Sequence, residues 1–153
     1  MRQIAEFVAV LACGLFTGAS VYISLVEHPA RMECGPDVAA AEFAPSYRRA
    51  TVMQVTLAVL GLLSSIAAWF GGATVWWAAG GIVLASVVPY TVIVILPTNK
   101  ELLRAAPDRS SAETKQLLAR WGALHAVRSL LSSAALLWFL CLLIFGHRFD
   151  LVG

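Results

Sequence analysis

Charge is what this sequence has least of. Only 13% of its 153 residues are Asp, Glu, Lys or Arg, against about 25% in an ordinary soluble domain. That shortage excludes a normal water-soluble globule, and a hydrophobic content of 59% excludes disorder. Paired cysteines are missing too. Cys13, Cys34 and Cys141 stand far apart with no CxxC, so the thiol pair of a membrane disulfide oxidoreductase is not there. The formal charge is only +2, and no basic, aromatic-interleaved patch exists to serve nucleic acid. GxSxG, P-loop, GxGxxG and Ser-His-Asp patterns are absent, which leaves hydrolytic, nucleotide and dinucleotide chemistry without motifs. HxH, HxxxH and Glu-x-x-His spacings are absent as well, and no internal repeat is visible.

What the chain does have is long apolar runs. Four of them, at about 4–26, 47–70, 74–96 and 122–145, are each long enough to cross roughly 30 Å of hydrocarbon at 1.5 Å per residue. The expected fold is all-α: an integral membrane antiparallel four-helix bundle, with residues 1–153 as a single membrane domain. A cleaved signal peptide competes for the first run, but Arg2 is the only basic residue before it and the run outlasts an h-region.

The punctuation is expected to work as follows. Pro29 pushes His28 out of helical geometry and ends the first span, and a polar loop follows from Met32 to Ser46. Gly71-Gly72 makes a tight turn, after which Trp76 and Trp77 sit in an aromatic belt. Pro89 kinks the third span and frees a carbonyl near Ala85, and Pro97-Thr98-Asn99-Lys100 terminates it. Ser110 or Ser111 ahead of Glu113 or Thr114 starts a short interfacial helix before the fourth span.

Both inter-span loops at one end are basic. They carry Arg31, Arg48, Arg49, Lys100, Arg104, Arg109, Lys115 and Arg120, whereas the other end has Arg2 and Arg148. The positive-inside rule then gives a multi-pass cell-membrane protein with both polar loops cytoplasmic and both termini outside. Besides the lipid bilayer, the expected partners are a small apolar substrate and a second copy of the chain packed through the Gly14/Gly18 GxxxG face.

The same basic end collects nearly every unusual polar residue of the apolar runs. Trp121, His125 and Arg128 are spaced i, i+4, i+7 and share one helix face. An arginine just inside a membrane span is costly without a partner or water. His28 and Arg31 end the first span, Asn99 and Lys100 end the third, and Gln54 and Tyr90 lie slightly deeper. Each has a bland alternative: a capping histidine, a turn asparagine, an interfacial tryptophan, a snorkelling arginine. Their convergence at one depth argues for a pocket. In it a histidine moves protons near neutral pH, and Arg128 holds an anionic intermediate such as an enolate or a reduced oxygen species. Asn99, Tyr90 and Trp121 orient a flat aromatic substrate. The cofactor stays open. His28 and His125 are the only imidazoles able to ligate a metal or haem there, which keeps a non-catalytic haem-, metal- or quinone-binding subunit as the alternative, with a small transporter or assembly partner behind it.

Three blocks together resemble the anthrone oxygenase-like family of small four-span membrane proteins: Glu27-His28-Pro29-Ala30-Arg31; Pro89-Tyr90-Thr91 with Pro97-Thr98-Asn99-Lys100; and Trp121 through Arg128. The resemblance runs from Gly14 to about Phe145. It implies oxidation of anthrones to anthraquinones, by oxygen insertion at a benzylic carbon after loss of an acidic proton. The roles it implies are His125 or His28 as base, Arg128 stabilising the anthrolate or a superoxide-like species, and Asn99, Tyr90 and Trp121 positioning the ring.

Overall fold

The computed structural model describes residues 1–104 and 109–149, with side chains in those ranges up to Gly146. His147 and Arg148, which the sequence places at the far end, lie outside the described side chains. Four rods make up the fold: α1 (Arg2–Glu33), α2 (Pro36–Phe70), α3 (Trp76–Arg104) and α4 (Ala112–Phe149). All four are long and apolar enough to cross a membrane, so the chain is a multi-pass membrane protein. Neighbours in the sequence pack side by side, and α4 closes the ring against α1. The result is an antiparallel four-helix bundle whose outer surface is apolar, with Leu25, Val52, Ile93 and Leu130 fully in view.

The rods are longer than the apolar runs, because the prolines do not stop them. His28 keeps helical angles (φ −66°, ψ −45°), and α1 continues to Glu33. The first span therefore does not end at His28-Pro29. A π-turn at Ile23–Glu27, in which the His28 N–H reaches back to the Ile23 carbonyl, widens the helix just ahead of the proline ring. The third span repeats the device. Thr91–Ile95 forms a second π-turn, the Leu96 N–H bonds the Thr91 carbonyl, and the helix passes through Pro97 to Arg104. Asn99 and Lys100 are thus helical residues and not turn residues.

The polar loop expected from Met32 to Ser46 shrinks to Cys34 and Gly35. Gly35 turns the chain at φ +88°, which L side chains rarely adopt, and Pro36 starts α2 with Asp37 in its first turn. The extra turns of α2 bury Ala39 and Phe43 at the basic end, which is why they fold. Pro89 acts as expected: α3 is interrupted at Ser86, between Trp76–Ala85 and Val87–Tyr90. The short helix before the fourth span is present as the first turns of α4 itself. Ser111 Oγ caps it by accepting from the Thr114 N–H (3.1 Å), with Glu113 in the first turn.

Two cores hold the bundle. The one nearer the chain termini is built from small residues and a few large ones, among them Ala9, Phe16, Trp77, Leu84, Ala135 and Phe139. Trp77 is buried there, stacked on Phe139 at 5.5 Å, so only Trp76 of the expected belt pair reaches the surface. Close approach of α2 and α3 depends on Gly81, whose missing Cβ is replaced by the Ser65 side chain. The second core, at the basic end, joins Phe43, Ile95, Leu118 and Trp121 from α2, α3 and α4. Of the GxxxG pair, Gly14 lies against Leu136 of α4 while Gly18 faces outward with open space before it.

Candidate functional site

Beyond Ser86 the α2 and α3 rods touch little, whereas before it they pack closely. The gap between them is where the polar residues gather. Trp121 is buried at its centre and does not anchor at an interface. Its indole stacks on His125 (4.8 Å, 27°), tilts against His28 (5.2 Å, 58°) and meets the Phe43 ring edge-on (5.4 Å, 88°). The two imidazoles therefore lie on one indole. His28 is packed under the backbone of α4, where a Cβ at Gly122 would overlap its ring.

His125 is tied in place by α1. Its Nδ1 is 3.0 Å from Ser24 Oγ, which is 2.8 Å from Ser129 Oγ, and the Ser129 hydroxyl also donates to the Ser20 carbonyl (2.9 Å). Below this, Ser132 Oγ donates to the Ser129 carbonyl and Thr17 Oγ1 to the Ser132 carbonyl, both at 3.0 Å. A ladder of hydroxyls thus fastens α1 to α4 beneath the imidazole. With Nδ1 engaged, Nε2 is the nitrogen left for a ligand in the cavity that His125 lines.

Arg128 turns into the bundle and does not snorkel outward. One Nη donates to Gln54 Oε1 of α2, the other reaches Thr91 Oγ1 of α3 (3.4 Å), and the guanidinium carbon lies 5.0 Å from the centre of the Phe16 ring. Because Gln54 offers its oxygen to the guanidinium, its Nε2 must face elsewhere as a donor. Among the described residues that Nε2, Asn99 Oδ1 and Arg128 Nε have no hydrogen-bond partner, although Gln54 and Asn99 are each at least 98% buried. Buried polar atoms without partners call for water or a ligand.

Arg31 is the second buried cation, and it is already paired. It bonds Glu27 one turn back on α1 and Glu42 of α2 (3.0 Å), and Ser46 Oγ donates to Glu27 (3.2 Å). These groups brace the basic end and neutralise one another, which leaves Arg128 as the cation without a carboxylate partner among the described residues that line the cavity.

The cavity between the rods is about 450 Å³, a figure that includes space open at its mouth. Six of the residues singled out from the sequence line it: Arg31, Gln54, Asn99, Trp121, His125 and Arg128. Three do not. His28 lies behind Trp121, Tyr90 donates its hydroxyl to the Leu124 carbonyl (3.2 Å), and Lys100 is exposed. Among the described residues no three His, Cys, Asp or Glu side chains gather as a metal-binding group. Sequence reasoning assigned no role to Ser24, Ser129, Thr91, Phe43 and Tyr47. The serines carried a signal, since Thr17, Ser20 and Ser24 recur at helical spacing on α1 as His125, Ser129 and Ser132 do on α4.

Comparison with known proteins gives the chain a family. A family profile described as anthrone oxygenase matches residues 43–138, which contain α2 from Phe43, all of α3 and the Trp121–Arg128 face. The protein described as anthrone oxygenase tpcL, from Aspergillus fumigatus, is 29% identical over 137 residues, 83% of this chain and 85% of that protein. No solved structure matches. By its sequence, and with four spans converging on one polar cavity, the chain belongs to the anthrone oxygenase family.

Proposed function

We propose that the protein oxidises a flat phenolic ketone of the anthrone type with dioxygen, using His125 as base and Arg128 as the group that holds the oxyanion. The observation that carries this reading is their pairing on one cavity: an imidazole fastened at Nδ1 and a guanidinium drawn inward by Gln54 and Thr91. The printed name of the Aspergillus relative supports the same chemistry.

The reaction balances as anthrone plus dioxygen giving anthraquinone plus water. His125 takes a proton from the methylene carbon, and the electron pair moves to the ketone oxygen. Arg128 and the Gln54 amide N–H donate to that anthrolate oxygen, in a water-poor site where such bonds are strong. The carbanion then reduces dioxygen. A carbon–oxygen bond forms, and the peroxide takes the proton back from His125. Removal of the second methylene proton breaks the O–O bond, releases water and leaves the new ketone. Trp121 and Phe43 wall the ring system, and Asn99 Oδ1 accepts from a phenolic hydroxyl.

Purified protein in lipid nanodiscs is expected to consume one dioxygen per anthraquinone formed from a hydroxylated anthrone. His125→Ala should lower kcat/KM by about 10²–10⁴-fold, and Arg128→Ala by about 10²–10³-fold. Wild-type rates in either variant would sink the proposal.

A further inference from the structure

A second cleft adjoins the cavity and shares its floor. It runs between α2 and α3, spans about 490 Å³ when the open space at its mouth is counted, and is bottomed by Gln54, Thr91 and Arg128. Its walls are mostly apolar, with Val55 on α2, Val88, Val92 and Leu96 on α3 and Phe16 behind, and Tyr47 and Thr51 of α2 add two hydroxyls. Val55 and Val92 are 42% and 55% exposed, so the cleft opens on the outside of the bundle and not toward either end. The surface on both sides is also apolar, with Val52 and Val59 on α2 and Ile93 and Ile82 on α3 all exposed. In a membrane such a surface faces acyl chains.

The backbone explains why the cleft exists. α2 and α3 are in close contact at Gly81, where Ser65 and Leu62 fill the space of a side chain. The interruption at Ser86, Pro89 and the π-turn Thr91–Ile95 then follow in immediate succession on α3 and part it from α2. These are the usual causes of a helix kink. Every irregular turn of α3 thus lies beside this one opening.

We infer that the cleft is a lateral portal through which an apolar aromatic molecule carrying one anionic or ketone oxygen passes from the bilayer core to Arg128. Two observations select that occupant. The walls are mostly hydrocarbon, with Tyr47 and Thr51 the exceptions, which suits a flat and largely apolar ring system already dissolved in lipid. The floor residues Gln54 and Arg128 each hold a donor without a partner, Nε2 and Nε, buried beneath the cleft surface, and a single oxygen acceptor reaching them would satisfy both. An acyl chain would leave both donors bare. A water-soluble substrate would have no reason to cross an apolar threshold. The inference rests on the oxygenase reading for the identity of the ring compound but not for the route.

The experiment therefore reads the route without turnover. In nanodiscs of phosphatidylcholine, on a Cys34→Ser/Cys141→Ala background, a nitroxide is attached at Val92→Cys. Dissolved oxygen, which partitions into hydrocarbon, is expected to relax the label more than a water-soluble nickel chelate does. Adding 1,8-dihydroxyanthraquinone should immobilise the label. In unlabelled protein, Val55→Trp and Val92→Trp place bulk on the two lips, at positions exposed enough to keep the fold. Each should weaken binding of the same quinone at least tenfold, while Leu130→Trp, exposed on α4 and lining neither opening, leaves it unchanged. Greater access by the nickel chelate, unchanged affinity in both lip variants, or no binding to the wild-type protein would each overturn the portal. Tight binding with no oxygen uptake from a hydroxylated anthrone would leave the portal standing and remove the oxygenase reading alone.

Discussion

At the scale of single residues, the site depends on side chains that fix one another. Gly122 shows this most directly. The only residue small enough for that turn of α4 stands where the His28 ring presses against the backbone, and that ring in turn supports Trp121. Gly122→Ala is expected to destabilise the protein by about 1–3 kcal/mol through overpacking, seen as a lower Tm in detergent. If the clash is with the imidazole, adding His28→Ala should recover part of the loss, and the coupling should emerge as non-additivity in the double variant. Strictly additive losses would place the strain elsewhere. Residue types and depth were readable from the sequence, and they led to Gln54, Asn99, Trp121, His125 and Arg128, all on the cavity. Depth alone does not say which way a helix faces. For that reason Lys100 turned out to be exposed and Tyr90 to be occupied by the Leu124 carbonyl.

At the scale of elements, proline is the recurrent theme. Pro29, Pro45 and Pro97 all lie inside rods that a local reading would have cut at those points. The four spans were legible because hydropathy is a property of whole segments. Their ends were not, because a breaker's effect depends on what the preceding turn can absorb. In α1 and α3 the absorbing device is the same: a five-residue π-turn ending two positions before the proline. Each carries the helix onward, so that Arg31 and Asn99 reach the cavity from beyond the proline. Pro89 is different because it does interrupt its helix, beside the opening between α2 and α3. Pro89→Ala would restore the missing N–H donor and remove the ring's clash with the preceding turn. It is expected to raise stability by about 1–2 kcal/mol and to lower oxygen uptake severalfold, because a straighter α3 closes on α2. A variant that is more stable and equally active would show that the bend has no part in the function.

At the scale of the whole molecule, the bundle is asymmetric end to end. Small residues and buried aromatics close one half, while the other is held by a buried arginine paired to partly exposed carboxylates, by hydroxyls and by an indole between two imidazoles. The site sits in that polar half, where basic residues at the rod ends and turns outnumber those of the opposite end by eight to two. Positive charge on short loops is retained on the cytoplasmic side during insertion, so this half is expected to face the cytoplasm. Cys34 provides the test, because it is exposed in the turn between α1 and α2 at that end. Cys13 is buried, and Cys141, exposed on the apolar face of α4, can be changed to Ala. In intact cells a membrane-impermeant maleimide should leave Cys34 of the Cys141→Ala protein unlabelled, and permeabilisation should make labelling complete. Labelling in intact cells would invert the bundle. Inversion would leave the chemistry proposed for His125 and Arg128 untouched, since the inferred route to them runs through the cleft between α2 and α3. It would change only the compartment that the mouth of the cavity faces, and so the side on which water and protons are exchanged.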